Sequence, residues 1–268
     1  MSLERLAPGV LRLVAFSALT ILALITLFVA IEGMEAFARA GPLHLLLGSR
    51  WAPTQGDFGL LSMVVGSLLV TAGALAVGVP LGVGCATFLS ELARPSLARS
   101  VKPVLELLAA IPSVVYGFIG LVILVPLVRQ LGGPGFSVLT ASIVLALMIL
   151  PTVASISYDA IRAVPWAYRE ASLALGVTRW RTTRMVVWPA CRSGLLTAVV
   201  LGMGRAIGET MAVIMVAGNS IAIPRSILDP VRTLTSNIAL EMGYATGLHR
   251  RALFASGLVL FVIILCLN

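Results

Sequence analysis

Residues 166–189 read WAYREASLALGVTRWRTTRMVVWP and lie between two long apolar segments. The stretch follows Pro165, which suits the first turn of a helix, and good helix formers continue from Trp166 to Ala174. Gly176 then provides a signal for the end of the helix. This pattern predicts a short amphipathic helix that lies at a membrane surface and ends near Gly176.

The composition of the chain agrees with a membrane setting. Of its 268 residues, 59% are hydrophobic and only 11% are charged, whereas soluble domains carry about 25% charged residues. The net charge is +8, but the basic residues are spread through the loops with no aromatic–basic stripe, so nucleic acid is not an expected partner. We predict an all-α integral membrane protein with a single transmembrane domain over residues 1–268.

Six apolar stretches have the length of a membrane-spanning helix, about 20 residues. They are residues 13–31, 61–89, 104–128, 137–158, 193–217 and 252–267. Six transmembrane helices are therefore predicted, with long external connections at 32–60 and 218–251. These two connections are either ordered loops that meet a partner or simple linkers.

The distribution of basic residues predicts the orientation of the spans. If the N-terminus is cytoplasmic, the inward loops carry more Arg and Lys than the outward loops, and the excess is largest in the loop 159–192. Cytoplasmic loops carry such an excess in membrane proteins. We therefore expect both chain ends in the cytoplasm, with 159–192 as a cytoplasmic loop.

The stretch GMGRAIGETMAVIMVAGN, residues 202–219, places two charges inside an apolar segment. A charged side chain at the centre of a bilayer costs about 2.5–3.5 kcal/mol, so Arg205 and Glu209 must face protein, water or a ligand. Being four positions apart, they are predicted to share one helix face. Thr210 lies beside Glu209, and Asn219 comes near the outer end.

Two interpretations of this charged pair remain open at this point. The first is a structural ion pair, although a buried pair adds little net stability. The second is a pathway for an anion, because the guanidinium of Arg205 is a planar fork that binds oxyanions bidentately. Glu209 can accept a hydrogen bond from a protonated oxyanion, which favours phosphate over sulfate, since only phosphate retains protons at neutral pH.

Motifs for catalysis and for metal binding are missing from the sequence. The only lysine, Lys102, is followed by Pro103, so the chain has no phosphate-binding GxxxxGK[ST] loop. The nucleophile motif GxSxG is absent, the three cysteines form no CxxC pair, and the two histidines lie in separate connections. We predict that the chain is not an enzyme and holds no metal or cofactor.

The spacing in the first quoted stretch resembles the EAA motif of bacterial ABC importer permeases. Residues 170–172 (EAS) take the EAA positions, Gly176 follows after three residues, and Val186, Trp188 and Pro189 complete the motif. The resemblance implies a coupling helix that inserts into a groove of a cytoplasmic ATPase subunit, with the glycine as its bend. An ordinary basic loop anchored by interfacial aromatic residues is the alternative. The expected docking residues are Trp166, Tyr168, Glu170, Ala171, Ser172 and Gly176.

Further segments are similar to the PstC-type permeases of phosphate-specific ABC importers. They are ELLAAIPSVVYGFIGL (106–121), MILPTVASISYDAIRAVP (148–165), GRAIGETMAVIMVAGN (204–219), WAPTQGDFG (51–59) and FLSELARP (88–95). The resemblance implies the type I importer permease fold, with six core spans and half of a pathway for inorganic phosphate. Arg205 and Glu209 would line that pathway, with Ser113 and Tyr116 as further candidates.

The same resemblance implies a complex in the bacterial inner membrane. Its other members would be a homologous PstA-type permease, two ATP-binding cassette subunits and a periplasmic phosphate-binding protein, surrounded by membrane lipid. ATP and Mg would be used by the ATPase and not by this chain. The alternatives are a permease for sulfate or molybdate, and an ATP-independent carrier or channel, although no convincing internal repeat of the kind found in carriers is present.

Overall fold

The computed structural model describes the backbone of residues 3–267 and the side chains of residues 8–267, so the outermost ends of the predicted 1–268 domain lie outside the described residues. Helices make up nearly all of the regular structure. In chain order they are α1 Leu3–Ala40, α2 Pro42–Leu47, α3 Leu61–Thr87, α4 Pro95–Ala109, α5 Ser113–Ile119, α6 Val125–Arg129, α7 Val138–Arg162, α8 Trp166–Ala174, α9 Arg179–Thr182, α10 Trp188–Ala190, α11 Arg192–Gly208, α12 Met211–Val216, α13 Leu234–Glu241 and α14 Gly247–Leu267. Two short strands, β1 (Trp51–Ala52) and β2 (Asp57–Phe58), pair antiparallel with Trp51 opposite Phe58.

Four helical segments within residues 3–267 are long and apolar enough to cross a membrane. They are Pro8–Ala40, Leu61–Leu92, Val138–Arg162 and Gly247–Leu267. Two further spans are obtained if each of two bent helix pairs crosses once: Pro95–Ala109 with Ser113–Arg129, bent by 90°, and Arg179–Ala190 with Arg192–Gly208, bent by 74°. The predicted six spans therefore correspond to four continuous helices and two bent pairs.

The expectation of continuous helices over 104–128 and 193–217 is wrong. The first stretch breaks after Ala109, because Pro112 disfavours a helical conformation for the residue before it and cannot donate a backbone hydrogen bond. The second stretch breaks at Glu209, whose backbone is extended with ψ 132°. The first break turns the chain by 90°, whereas the 74° bend of the later pair lies before Arg192, outside the predicted stretch 193–217.

The centre of the fold is the contact between α3 and α7. Gly78 and Gly82 of α3 face α7 so closely that an added Cβ would lie 2.8 Å from Ile149 Cγ1 and 2.9 Å from Val153 Cγ1, respectively. Small residues allow such close approach of helix backbones in membranes. Helices α4, α5, α11 and α12 pack around α7, so the charged stretch and the 110–112 break lie against this central helix.

The two predicted external connections contain regular structure. Residues 32–60 include the end of α1, helix α2 and the hairpin, and residues 218–251 include α13 and a backbone bridge between Gly218 and Val231. Trp51 and Phe58 of the hairpin are buried with the residues of α13 and α14 in one apolar cluster. Both segments are therefore ordered and are not simple linkers.

Candidate substrate pathway and coupling site

Arg205 lies near the end of α11 and contacts two other parts of the fold. One terminal nitrogen of its guanidinium donates to Thr152 Oγ1 of α7 at 3.1 Å, and the other donates to the carbonyl of Ala109 at 3.0 Å. These two bonds use two of the five N–H donors of the side chain. The guanidinium is therefore held in place with donors left over for a further acceptor.

The break between α4 and α5 gathers three of the predicted pathway residues. A helix end leaves carbonyl groups without partners inside the helix. Arg205 satisfies the carbonyl of Ala109, and the hydroxyl of Tyr116 donates to the preceding carbonyl, that of Leu108, at 2.9 Å. Ser113 begins α5 one helical turn before Tyr116. Arg205 and Tyr116 thus bond to neighbouring carbonyls at this break, and Ser113 begins the helix that follows it.

Glu209 does not share a helix face with Arg205, and that prediction is wrong because α11 ends between them. The carboxylate of Glu209 accepts from the N–H of Ala212 at 3.1 Å and caps the start of α12. The carbonyl of Glu209 accepts from Thr235 of α13 at 2.9 Å. Among the described side chains Arg205 and Glu209 form no ion pair, so the structural-pair interpretation is also wrong.

The two remaining predicted pathway residues lie farther along the chain. Thr210 sits in the break and donates to the carbonyl of Gly208 at 3.4 Å. Asn219 has a left-handed backbone, with φ 54°, and its side-chain amide donates to the carbonyl of Ile214 at 2.9 Å. Its own carbonyl accepts from Arg232, so Asn219 belongs to the external segment rather than to the contacts of Arg205.

Glu241 is the centre of a buried polar network between the two predicted external connections, which the sequence did not reveal. Its carboxylate accepts from Trp51 Nε1 at 2.9 Å and from Arg232 at 2.7 Å, and it lies 2.8 Å from His249 Nε2. Trp51 is 190 positions from Glu241, so no local spacing could have linked them. Within residues 8–267 no group of three or more His, Cys, Asp or Glu side chains is placed to hold a metal ion.

The predicted coupling helix is present as α8, and its bounds, Trp166–Ala174, agree with the prediction. Gly176 follows with φ +75°, a conformation that glycine adopts without strain, so the predicted bend is confirmed. Trp166, Tyr168, Glu170 and Ala171 are exposed. The exposed face of α8 is therefore available to a partner.

Ser172 differs from the other predicted docking residues because its side chain is buried. Its hydroxyl forms a 2.9 Å hydrogen bond with the hydroxyl of Thr182, in the segment that follows the bend. Ser172 therefore connects α8 to α9, and its side chain is not available to a partner.

Arg169, which sequence reasoning treated only as one of the inward basic residues, is buried on the opposite side of α8. Only 5% of the residue is exposed. Its guanidinium contacts both oxygens of Glu91, the shortest distance being 2.7 Å, and also donates to the carbonyls of Ile161 and Val164. Glu91 lies 78 positions earlier in the chain, so spacing gave no signal for this pair.

Comparison with known proteins shows the family to which this chain belongs. The family of binding-protein-dependent transport system inner membrane components matches residues 78–268. The chain is 46% identical to the probable ABC transporter permease protein YqgH of Bacillus subtilis over 246 residues, which covers 89% of this chain and 80% of that protein. It is 37% identical to the phosphate transport system permease protein PstC of Haemophilus influenzae over 282 aligned positions, which covers 97% of this chain and 89% of that protein.

Solved structures show the same fold at low sequence identity. A bacterial ABC transporter involved in the import of the acidic polysaccharide alginate superposes with a TM-score of 0.61 at 15% identity, covering 98% of this chain and 97% of that one. An inward-facing structure of the MetNI methionine ABC transporter gives 0.58 at 20% identity, covering 81% and 94%. The predicted importer permease fold is confirmed, and the chain is a non-catalytic, multi-pass membrane protein that belongs to the family of binding-protein-dependent transport system inner membrane components.

Proposed function

We propose that this chain is a transmembrane permease subunit of an ATP-driven importer for inorganic phosphate and forms half of the translocation pathway. The observation that carries the proposal is the guanidinium of Arg205, held at a helix break by Thr152 and the carbonyl of Ala109 with N–H donors remaining. Relatives that are 34–39% identical carry the name phosphate transport system permease protein, which supports phosphate as the anion.

The face that contains Arg205 is incomplete in a single chain. Leu201 and Met211 are about half exposed, and nothing lies within 4 Å of a Cβ built on Gly204 or Gly208. Small residues on an open face permit close packing of another helix. Permeases of this family work with another permease, an ATPase and a binding protein, and we propose that a PstA-type permease covers this face.

Glu209 contributes to the choice of anion in this proposal. One of its carboxylate oxygens accepts from the N–H of Ala212, which fixes the side chain at the break. A carboxylate repels an oxyanion without protons but accepts a hydrogen bond from one that retains a proton, as phosphate does. We therefore expect phosphate to be preferred over sulfate, which has no proton to donate.

Energy for transport would come from two ATP-binding cassette subunits, one of which would dock on the exposed face of α8. Those subunits would use ATP and Mg, and this chain would bind no cofactor. A short helix that fits a groove is a recurrent mode of protein recognition, and Gly176 allows the helix to turn relative to the segment behind it. A periplasmic phosphate-binding protein would deliver the anion to the external face, and both chain ends would be cytoplasmic.

Uptake into proteoliposomes tests the substrate. The complex of both permeases and the ATPase is reconstituted, the phosphate-binding protein is added at the external face, and uptake of labelled phosphate is measured with and without ATP. We expect ATP-dependent uptake that a large excess of sulfate or molybdate leaves unchanged. Uptake of sulfate or molybdate in place of phosphate would overturn the choice of anion.

Arg205→Ala tests the pathway. Removing a charged hydrogen-bond donor loses about 2 kcal/mol of interaction with the anion, so import should fall roughly 30-fold or more while the complex still assembles. Thr152→Val is the matched control, because it removes one anchor of Arg205 and keeps the charge; its import should fall much less. Loss of assembly in Arg205→Ala would mean that the arginine only caps the end of α4.

A further inference from the structure

The buried ion pair between Arg169 and Glu91 joins the coupling helix to the end of α3. Glu91 lies in a π-helical turn, Phe88–Leu92, that continues α3 beyond Thr87. The side chains of Arg169 and Glu91 are only 6% and 12% exposed. Their contact is fork-like, with Nε and a terminal nitrogen of the guanidinium both facing the carboxylate. Such a planar, two-point contact fixes the relative orientation of the groups as well as their distance.

The same guanidinium also holds the end of α7. It donates to the carbonyl of Ile161 in the last turn of α7 at 2.9 Å and to that of Val164, just beyond the helix end, at 2.7 Å. Helix α7 in turn carries Thr152, which anchors Arg205. One side chain of the coupling helix is therefore bonded to both central helices of the fold, α3 and α7.

The other polar attachment of the buried face of α8 does not reach α3 or α7. Ser172 bonds to Thr182 at the end of α9, which belongs to the bent helix pair that continues into α11. Beyond Ala174 the chain turns at Gly176, whose φ is +75°. Arg169 is therefore the polar link from α8 to α3 and α7, whereas Ser172 links α8 to the segment that leads to α11.

We propose that Arg169 is a positioning residue that, together with Glu91, transmits the movement of the coupling helix to α3 and α7. The inference rests on the proposed function only in taking α8 as the ATPase dock. A buried two-point ion pair resists displacement in a way that an exposed pair, which water and salt screen, does not. Losing the pair should therefore separate ATP hydrolysis from transport.

Glu91→Gln is the central variant, because Glu91 lies outside α8 and its change leaves the surface offered to the ATPase intact. Phosphate uptake and ATP hydrolysis are measured in the same proteoliposomes with the phosphate-binding protein. We expect a normally assembled complex in which phosphate imported per ATP falls roughly tenfold. Glu91→Asp, which keeps the charge, should recover most of this ratio. Ser172→Ala, which removes one neutral hydrogen bond to α9 and leaves the pair of Arg169 and Glu91 intact, should lower this ratio much less.

A second readout does not depend on the substrate. A cysteine placed at Leu201, on the open face of α11, is labelled with a maleimide in the presence and absence of ATP and vanadate. The labelling rate should respond to nucleotide in the wild type and not in Glu91→Gln. A wild-type complex that responds to nucleotide but imports no phosphate would count against the proposed function alone.

Two results would overturn the inference. One is an unchanged transport ratio and nucleotide response in Glu91→Gln. The other is failure of both Glu91→Gln and Arg169→Lys to assemble with the ATPase, which would make the pair a requirement of folding only. Arg169→Lys retains the charge and loses the fork, so we expect it to assemble with a lowered ratio.

Discussion

Gly176 has a backbone conformation that favours glycine. Its φ of +75° lies in the left-handed region, and nothing lies within 4 Å of a Cβ built at this position. A substitution here therefore acts through backbone strain alone, about 1–2 kcal/mol for an ordinary residue. The bend is required by the conformation and not by crowding.

We expect Gly176→Val to weaken the coupling of the ATPase, because a β-branched residue is strained at this φ and would shift α8 to relieve the strain. Gly176→Asn is the matched control, since asparagine tolerates the left-handed region. The measurement is co-purification of the ATPase and ATP hydrolysis stimulated by the binding protein. Equal behaviour of the two variants would contradict the strain argument.

Sequence reasoning could locate the unusual residues but could not identify their contacts. Arg205 stands out because a charge in an apolar span is rare, yet its acceptors, Thr152 and the carbonyl of Ala109, lie 53 and 96 positions away. The shared face with Glu209 was expected from helical periodicity, which holds only while the helix continues. Ser172 fits the motif spacing, but its burial depends on Thr182.

At the level of secondary-structure elements, the breaks between helices were harder to predict from the sequence than the helices themselves. Pro112 gave a local signal for the end of α4, because proline restricts the residue before it. Glu209 gave no such signal: its break is stabilised by Thr235 of α13, a contact that exists only in the folded chain. Hydropathy measures how apolar a segment is, and it carries no information about the direction of the backbone.

The glycines of α3 provide a test of the central packing. A Cβ on Gly82 would lie 2.9 Å from Val153, a fully buried β-branched residue that cannot move aside, whereas nothing lies within 4 Å of one on Gly84. Gly82→Ala should therefore destabilise the fold by about 1–2 kcal/mol, since overpacking outweighs the gain in helix propensity. Gly84→Ala should be neutral or slightly stabilising. Thermal unfolding of the complex in detergent measures both; a stabilised Gly82→Ala would show that α3 and α7 separate easily.

The whole molecule presents apolar surfaces of two kinds. The most apolar window of α1 is not buried by the chain at all, as expected for a helix that faces lipid or a neighbouring subunit. The face near Leu201 and Met211 is apolar as well, but it lies beside a charge and open glycines. The first surface follows from composition alone, whereas the second is defined only when the broken helices are placed against α7.

Cysteine labelling tests the orientation and the docking surface together. In a variant without the three native cysteines, one cysteine is placed at Thr54, exposed in the hairpin that is predicted to be external, and another at Leu175, which is 84% exposed after α8. A membrane-impermeant maleimide should label position 54 in intact cells and position 175 only in inverted vesicles. The bound ATPase should protect position 175 and leave position 54 unaffected. Labelling of position 175 from outside would show that the orientation is opposite to the predicted one. Equal labelling of position 175 with and without the ATPase would show that the ATPase does not dock on α8.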